Sequence, residues 1–95
     1  AAVARAAFTL RETARLIRVR YFALQTTRST LKTLDWKLTQ AEELDRIAAE
    51  QLEQGRIAPF ELLRAQSEVA GIRQEINEAT SELQEREADL KVAMG

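Results

Sequence analysis

Apolar residues recur at alternating steps of three and four along the second half of the chain. They are Leu62, Ala65, Val69, Ile72, Ile76, Ala79, Leu83, Leu90 and Ala93, and only Arg86 interrupts the pattern. A repeat of ~3.5 residues keeps one narrow stripe of a helix turned toward a single partner helix. This half of the chain is therefore predicted to be a helix that packs along another helix.

The first half carries a matching stripe. Its members are Leu10, Ile17, Leu24, Leu31 and Leu38, spaced by seven, together with Leu34, Ala41, Leu44, Ala48 and Leu52. Both stripes break at residues 54–59. The pattern predicts an all-α fold, a long antiparallel two-helix coiled-coil hairpin that uses residues 1–95 as one unit. Helix one is expected at about 5–53, the turn at about 54–58 and helix two at about 59–94.

The two stripes share one antiparallel register. Partners across a turn near residue 57 should have numbers that sum to about 114, which pairs Leu52 with Leu62 and Leu31 with Leu83. The predicted packing seam consists of Leu24, Leu31, Leu38, Leu52, Leu62, Val69, Ile76, Leu83 and Leu90. If helix two reaches only to about Leu24, the first nineteen or so residues of helix one have no partner within the chain.

The charge distribution favours the same fold. Residues 1–40 carry a net charge of +6 and residues 41–95 a net charge of −7. Folding back places three cations near four acids, namely Arg28, Lys32 and Lys37 near Glu78, Glu82, Glu85 and Glu87. Exposed pairs contribute only about 0 to 1 kcal/mol each, but they disfavour a slipped or parallel alignment.

The turn has recognisable local chemistry. Gly55 suits the position after a helix end, where a left-handed backbone is needed. Pro59 suits the first turn of the next helix, and the acid Glu61 is favoured there by the helix dipole. Ala58 occupies the N-cap position without a side-chain acceptor.

Several apolar residues lie off the seam. Ile57, Phe60 and Leu63, near the turn, either close the end of the hairpin over Leu52 or contact another protein. A second set, Phe22, Trp36 and Ile47, indicates that helix one touches neighbours on two sides. Gly71 lies in the middle of helix two, where it is either tolerated or admits a close neighbouring helix.

The composition argues against an enzyme. The chain has no Cys and no His, which removes thiolate nucleophiles, imidazole bases and most metal-ligand sets, so we expect no cofactor and no metal. No apolar run is long enough to span a bilayer, and no signal peptide is visible. The chain begins at Ala1 in what reads as mid-helix, which suggests a piece of a longer protein.

Motifs in the chain resemble those of one known family. The stretch from Gly55 to Gln66 resembles the hairpin-tip signature of TolC-type outer-membrane efflux channels: Gly, a few residues, an acid, two aliphatics, any residue, Ala and often Gln. The final Ala93-Met94-Gly95 resembles the tripeptide that ends the helix after this signature. Upstream, Val19 to Gln25 resembles the Val-x-x-Ala-Tyr-x-x-Leu segment of the first hairpin helix. The resemblance covers nearly the whole chain, and its general character is closest to channels paired with heavy-metal exporters.

The resemblance implies a periplasmic hairpin of an outer-membrane channel subunit in a Gram-negative bacterium. Three such subunits would form a passive export duct, a homotrimer that joins an inner-membrane pump through a periplasmic adaptor protein docking near the hairpin tip. The residues expected at the tip turn and partner contact are Gly55, Arg56, Ile57, Phe60, Glu61 and Leu63. Some members close their tip through polar links between hairpins, whereas Leu52, Ile57 and Arg64 would stand near those places here.

Three alternatives stay open. The hairpin of the periplasmic adaptor also has long antiparallel helices, but its tip usually carries an Arg, a Leu and a Ser, and no Ser stands between Ser29 and Ser67 here. A generic coiled-coil scaffold explains the heptads but not the ordered motifs. A nucleic-acid-binding arm would rest on Arg11, Arg15, Arg18 and Arg20, but the net charge of −1 argues against it. We expect no nucleic-acid partner.

Overall fold

The chain forms two long helices packed antiparallel in an extended hairpin. The computed structural model describes residues 2–95, with α1 at Ala2–Glu53 and α2 at Pro59–Met94. The described part measures 80 × 15 × 14 Å. The predicted all-α antiparallel hairpin is confirmed. The start of α1 at Ala2 is earlier than the expected residue 5, and Ala1 lies outside the described residues.

The face of α2 that packs on α1 is the predicted heptad stripe. Val69, Ile72 and Ala79 are buried, and the other stripe positions are half-buried. Arg86, the residue that interrupts the apolar pattern, is half-buried as well. Its long alkyl stem can cover apolar surface while the guanidinium stays in water. A position in the stripe therefore decides burial here even where the residue is charged.

The core is small and lies midway along the paired region. Ala41, Val69 and Ile72 form one buried cluster, and Leu38 and Ile76 pack against it. Two ion pairs join the helices, Arg73 with Glu42 at the level of this cluster and Arg28 with Glu87 nearer the open end of the hairpin. The residue numbers of each pair sum to 115. These contacts lie within one residue of the register that the sequence predicts.

Within the paired region, the stripe on α1 departs from the prediction at Leu44 and at Thr27. Leu44 is 57% exposed, while Asp45 is half-buried. The stripe that faces α2 continues from Ala41 by four residues to Asp45 and then by three residues to Ala48. Leu44 therefore lies to one side of the surface that contacts α2. Thr27 is also buried, and its hydroxyl donates a hydrogen bond to the Ala23 carbonyl at 3.1 Å. A satisfied hydroxyl explains how a polar residue is accommodated in the seam.

The beginning of α1 extends beyond the end of α2. Residues 2–16 are all exposed, and Ile17 is the first partly buried side chain. Nearby, Arg20 Nη1 donates a hydrogen bond to the Asp89 carbonyl oxygen at 2.7 Å. The unpaired segment is therefore shorter than the nineteen residues expected from the sequence, but it exists.

Charge pairing between the helices is sparser than expected. Of the three predicted cations, Arg28 alone has a carboxylate of the other helix within 4.0 Å in residues 2–95. Arg73 with Glu42, at 3.7 Å, is a further pair between the helices. All four side chains are about half exposed, so each pair contributes at most about 1 kcal/mol. The opposite charges of the two helices favour the antiparallel alignment. Burial of the apolar seam residues supplies most of the attraction between the helices.

Candidate functional site

The closed end of the hairpin begins with a Schellman turn at the end of α1. The Arg56 N–H donates to the Gln51 carbonyl at 2.8 Å, and the Gly55 N–H donates to the Leu52 carbonyl at 3.0 Å. Gly55 has φ +72°, the left-handed conformation that this turn requires. The turn satisfies two carbonyls that the end of α1 would otherwise leave without partners.

The start of α2 has no side-chain cap. Ala58 occupies the N-cap position with φ −82° and ψ 152°, and Pro59 follows it. The Glu61 N–H donates to the Ala58 carbonyl at 3.0 Å, and the Glu61 carboxylate lies in the first turn of the helix. Because Ala58 lacks a side-chain acceptor, an additional acceptor from a partner would be favoured at this exposed helix start.

Apolar side chains project from this end of the hairpin. Phe60 is 62% exposed and Leu63 is 60% exposed, whereas Ile57 is half-buried. The burial of Ile57 fits closure of the end of the hairpin, and the exposure of Phe60 and Leu63 fits contact with another protein. Ile57 is the one with substantial cover, and Phe60 and Leu63 leave most of their surface in solvent.

Arg64 adds a contact that the sequence analysis did not identify. Its guanidinium carbon lies 5.0 Å from the centroid of the Phe60 ring, a cation–π geometry. The signal was present in the sequence, because residues four apart on a helix lie on one face. The pair holds a cation beside an aromatic ring at the tip.

The predicted tip residues are brought together by the turn and the first turn of α2. Gly55, Arg56, Phe60, Glu61 and Leu63 are exposed, and Ile57 is half-buried. The predicted seam residues lie on the facing sides of the helices, and Leu52 and Leu62 are the ones nearest the tip. Leu24 and Val69 are buried, and the other seven are half-buried: Leu31, Leu38, Leu52, Leu62, Ile76, Leu83 and Leu90.

The apolar residues of the expected second face of α1 also differ in how much of their surface is exposed. Phe22 is 73% exposed and Trp36 is 64% exposed, while Ile47 is half-buried. Nothing in residues 2–95 groups three His, Cys, Asp or Glu side chains as a metal site would need. Neither of the two described helices is long and apolar enough to cross a membrane.

Comparison with protein-family models, with curated proteins and with solved structures finds no match to this chain.

Proposed function

We propose that this chain is a periplasmic hairpin of an outer-membrane efflux channel subunit and that its tip docks to a periplasmic adaptor protein. The observation that carries the proposal is the tip itself. Exposed Phe60 and Leu63 lie within the Gly55-to-Gln66 stretch that resembles the channel family's signature. Aromatic residues are enriched in the cores of protein interfaces, so an exposed Phe60 at the start of α2 is a suitable anchor.

The role is mechanical rather than catalytic. The hairpin is a fragment of an α-helical barrel, and its coiled-coil seam keeps the tip at a fixed distance from the outer membrane. The homotrimer forms the duct, and the adaptor links it to an inner-membrane pump. The extended shape, 80 Å long and only 15 Å wide, supports a spacer function better than a catalytic one.

The two sides of the hairpin support contact with neighbouring helices. A two-helix hairpin has only one internal packing layer, and six apolar residues are buried within residues 2–95. A barrel wall would cover further apolar side chains such as Phe22 and Trp36, which are now exposed. This inference agrees with the expected subunit contacts in a homotrimer.

The test is a pair of matched substitutions in the channel subunit that contains this hairpin. Leu63→Glu alters an exposed aliphatic residue at the tip, and Val92→Glu alters a still more exposed aliphatic residue near the other end of α2. We expect Leu63→Glu, like Phe60→Glu, to reduce adaptor crosslinking and efflux without a change in helicity. Val92→Glu should leave adaptor crosslinking unchanged.

Two results would contradict this function. One is unimpaired crosslinking and efflux in both tip variants, and the other is binding of the purified hairpin to the tip of a channel instead of to an adaptor. The second result would favour the adaptor-hairpin alternative. Loss of helicity in Phe60→Glu would instead assign Phe60 to the folded core.

A further inference from the structure

A shallow groove runs between the two helices along one side of the hairpin. Two adjoining depressions form it, with volumes of about 560 and 500 Å³, and both are lined by Lys37 and Glu75. The α1 side of the groove includes Trp36 and Leu44, which are largely exposed. The groove therefore exposes apolar side chains among mostly polar and charged ones.

The α2 wall of this groove is acidic. Residues at steps of three and four line it, namely Glu68, Gly71, Glu75, Glu78 and Glu82. Glu82 pairs with Arg86 at 3.3 Å, but in residues 2–95 no cationic group lies within 4.0 Å of the other three carboxylates. A Cβ added at Gly71 would meet no atom within 4 Å, so the wall has a gap there.

The N-terminal part of α1 carries a complementary stripe with the same spacing. Its members are Phe8, Arg11, Arg15, Arg18 and Phe22, and all five are exposed. Arg15 pairs with Glu12 at 3.4 Å, whereas Arg11 and Arg18 have no carboxylate within 4.0 Å among the described residues. The exposed side of α1 is thus both basic and apolar from Phe8, in the unpaired segment, to Phe22.

The two stripes also match in length. Each spans fifteen residues, from Phe8 to Phe22 and from Glu68 to Glu82, which corresponds to ~21 Å of helix. The basic stripe cannot reach the groove of its own chain, because α1 is one continuous helix from Ala2 to Glu53 and forms the other wall of that groove. Any contact between the two stripes must therefore join two copies.

We propose that residues 2–22 of one copy dock as a third helix in the groove of a second copy. With the two stripes aligned end to end, Arg15 lies opposite Glu75 and a second arginine lies opposite Glu78. The apolar side chains of the segment cover Trp36 and Leu44. Lys37 opposes the incoming charge, but the four glutamates outnumber it. In a two-fold dimer each copy would insert its segment into the groove of the other, and without that symmetry the contact would add copies head to tail. This inference is independent of the proposed channel function.

The test measures self-association of the complete 95-residue chain by sedimentation equilibrium. The double variant Arg11→Glu with Arg18→Glu reverses two charges on the docking segment. The double variant Glu75→Arg with Glu78→Arg reverses two charges on the wall of the groove. We expect each double variant to weaken association at least about tenfold and an equimolar mixture of the two to recover it, because the mixture restores opposite charges. Association of the parent chain should also fall as salt increases.

A control separates the groove from net charge. Asp35→Lys with Glu53→Lys makes the same charge change as the groove variant at residues that do not line the groove, and it should associate like the parent chain. Circular dichroism checks that every variant remains helical. The proposal is wrong if the parent chain stays monomeric, if groove reversal has no effect, or if the control weakens association equally. The second outcome would indicate that the N-terminal segments pair with each other.

Discussion

At the residue scale, the fold requires glycine at one of the two internal glycine positions and not at the other. Gly55 adopts φ +72° in the turn, whereas Gly71 lies inside α2 at a place where a Cβ would meet no atom. Gly55→Ala should therefore lower the free energy of unfolding by roughly 1–2 kcal/mol, the cost of a left-handed non-glycine residue.

Gly71→Ala is the matched opposite. It should raise the free energy of unfolding by roughly 0.5–1 kcal/mol, because alanine has the higher helix propensity and space is available. Urea unfolding followed by circular dichroism measures both variants. Destabilisation by Gly71→Ala would indicate that a neighbouring helix approaches α2 closely at this position.

Arg46 lowers the pKa of Glu43 below its ordinary value of 4.5, chiefly through side-chain hydrogen bonds. One of them runs from Arg46 Nε to Glu43 Oε2 at 3.1 Å. Because the folded-state pKa is depressed, this interaction stabilises the fold above pH 4.5 and is lost as the pH falls through the folded pKa. We expect NMR titration to give a higher pKa for Glu43 in Arg46→Gln.

Arg73→Gln is the control for that titration. Arg73 pairs with Glu42, the residue next to Glu43, at 3.7 Å. Its removal should leave the pKa of Glu43 unchanged if the local hydrogen bonds are the main cause. An equal rise in both arginine variants would point to general charge instead.

At the scale of the helices, the beginning and the middle of α1 should differ in local stability. Residues 2–16 are all exposed, whereas Leu24, Leu34 and Ala41 are buried against α2. A helical segment of this length is marginal in water without tertiary packing. In a dilute, verified monomer we expect backbone amides of residues 2–16 to exchange with solvent much faster than those of residues 24–41.

Hydrogen exchange followed by mass spectrometry provides this comparison. Strong protection of residues 2–16 in the monomer would contradict the exposed end seen in the structure. Protection that develops only as concentration increases would instead accompany docking of this segment in a second copy.

At the scale of the whole hairpin, the register can be tested by engineered disulfides. Leu31 and Leu83 face each other in the predicted register, and both are half-buried. Cysteines at these two positions should crosslink readily in a monomer. Cysteines at Leu31 and Ile72 should not, because an offset of eleven residues separates them by ~16 Å along the helices, beyond disulfide reach. The reverse result would contradict the register.

The amino-acid sequence by itself determined the helices, the turn and most of the seam. Spacing by three and four is a property of one chain, and it places Val69, Ile72 and Ala79 on one face regardless of the partner. Gly55 and Pro59 likewise carry local backbone preferences that mark a helix end and a helix start.

Only the tertiary structure decided which of the remaining apolar residues stay exposed. Ile57 and Phe60 both lie off the seam, yet Ile57 is half-buried and Phe60 is 62% exposed. The apolar pattern favoured Leu44, but packing half-buries Asp45 and leaves Leu44 exposed. Exposure depends on how far the partner helix extends and on which side chains it covers, and these are relations between the helices that spacing along one helix does not contain.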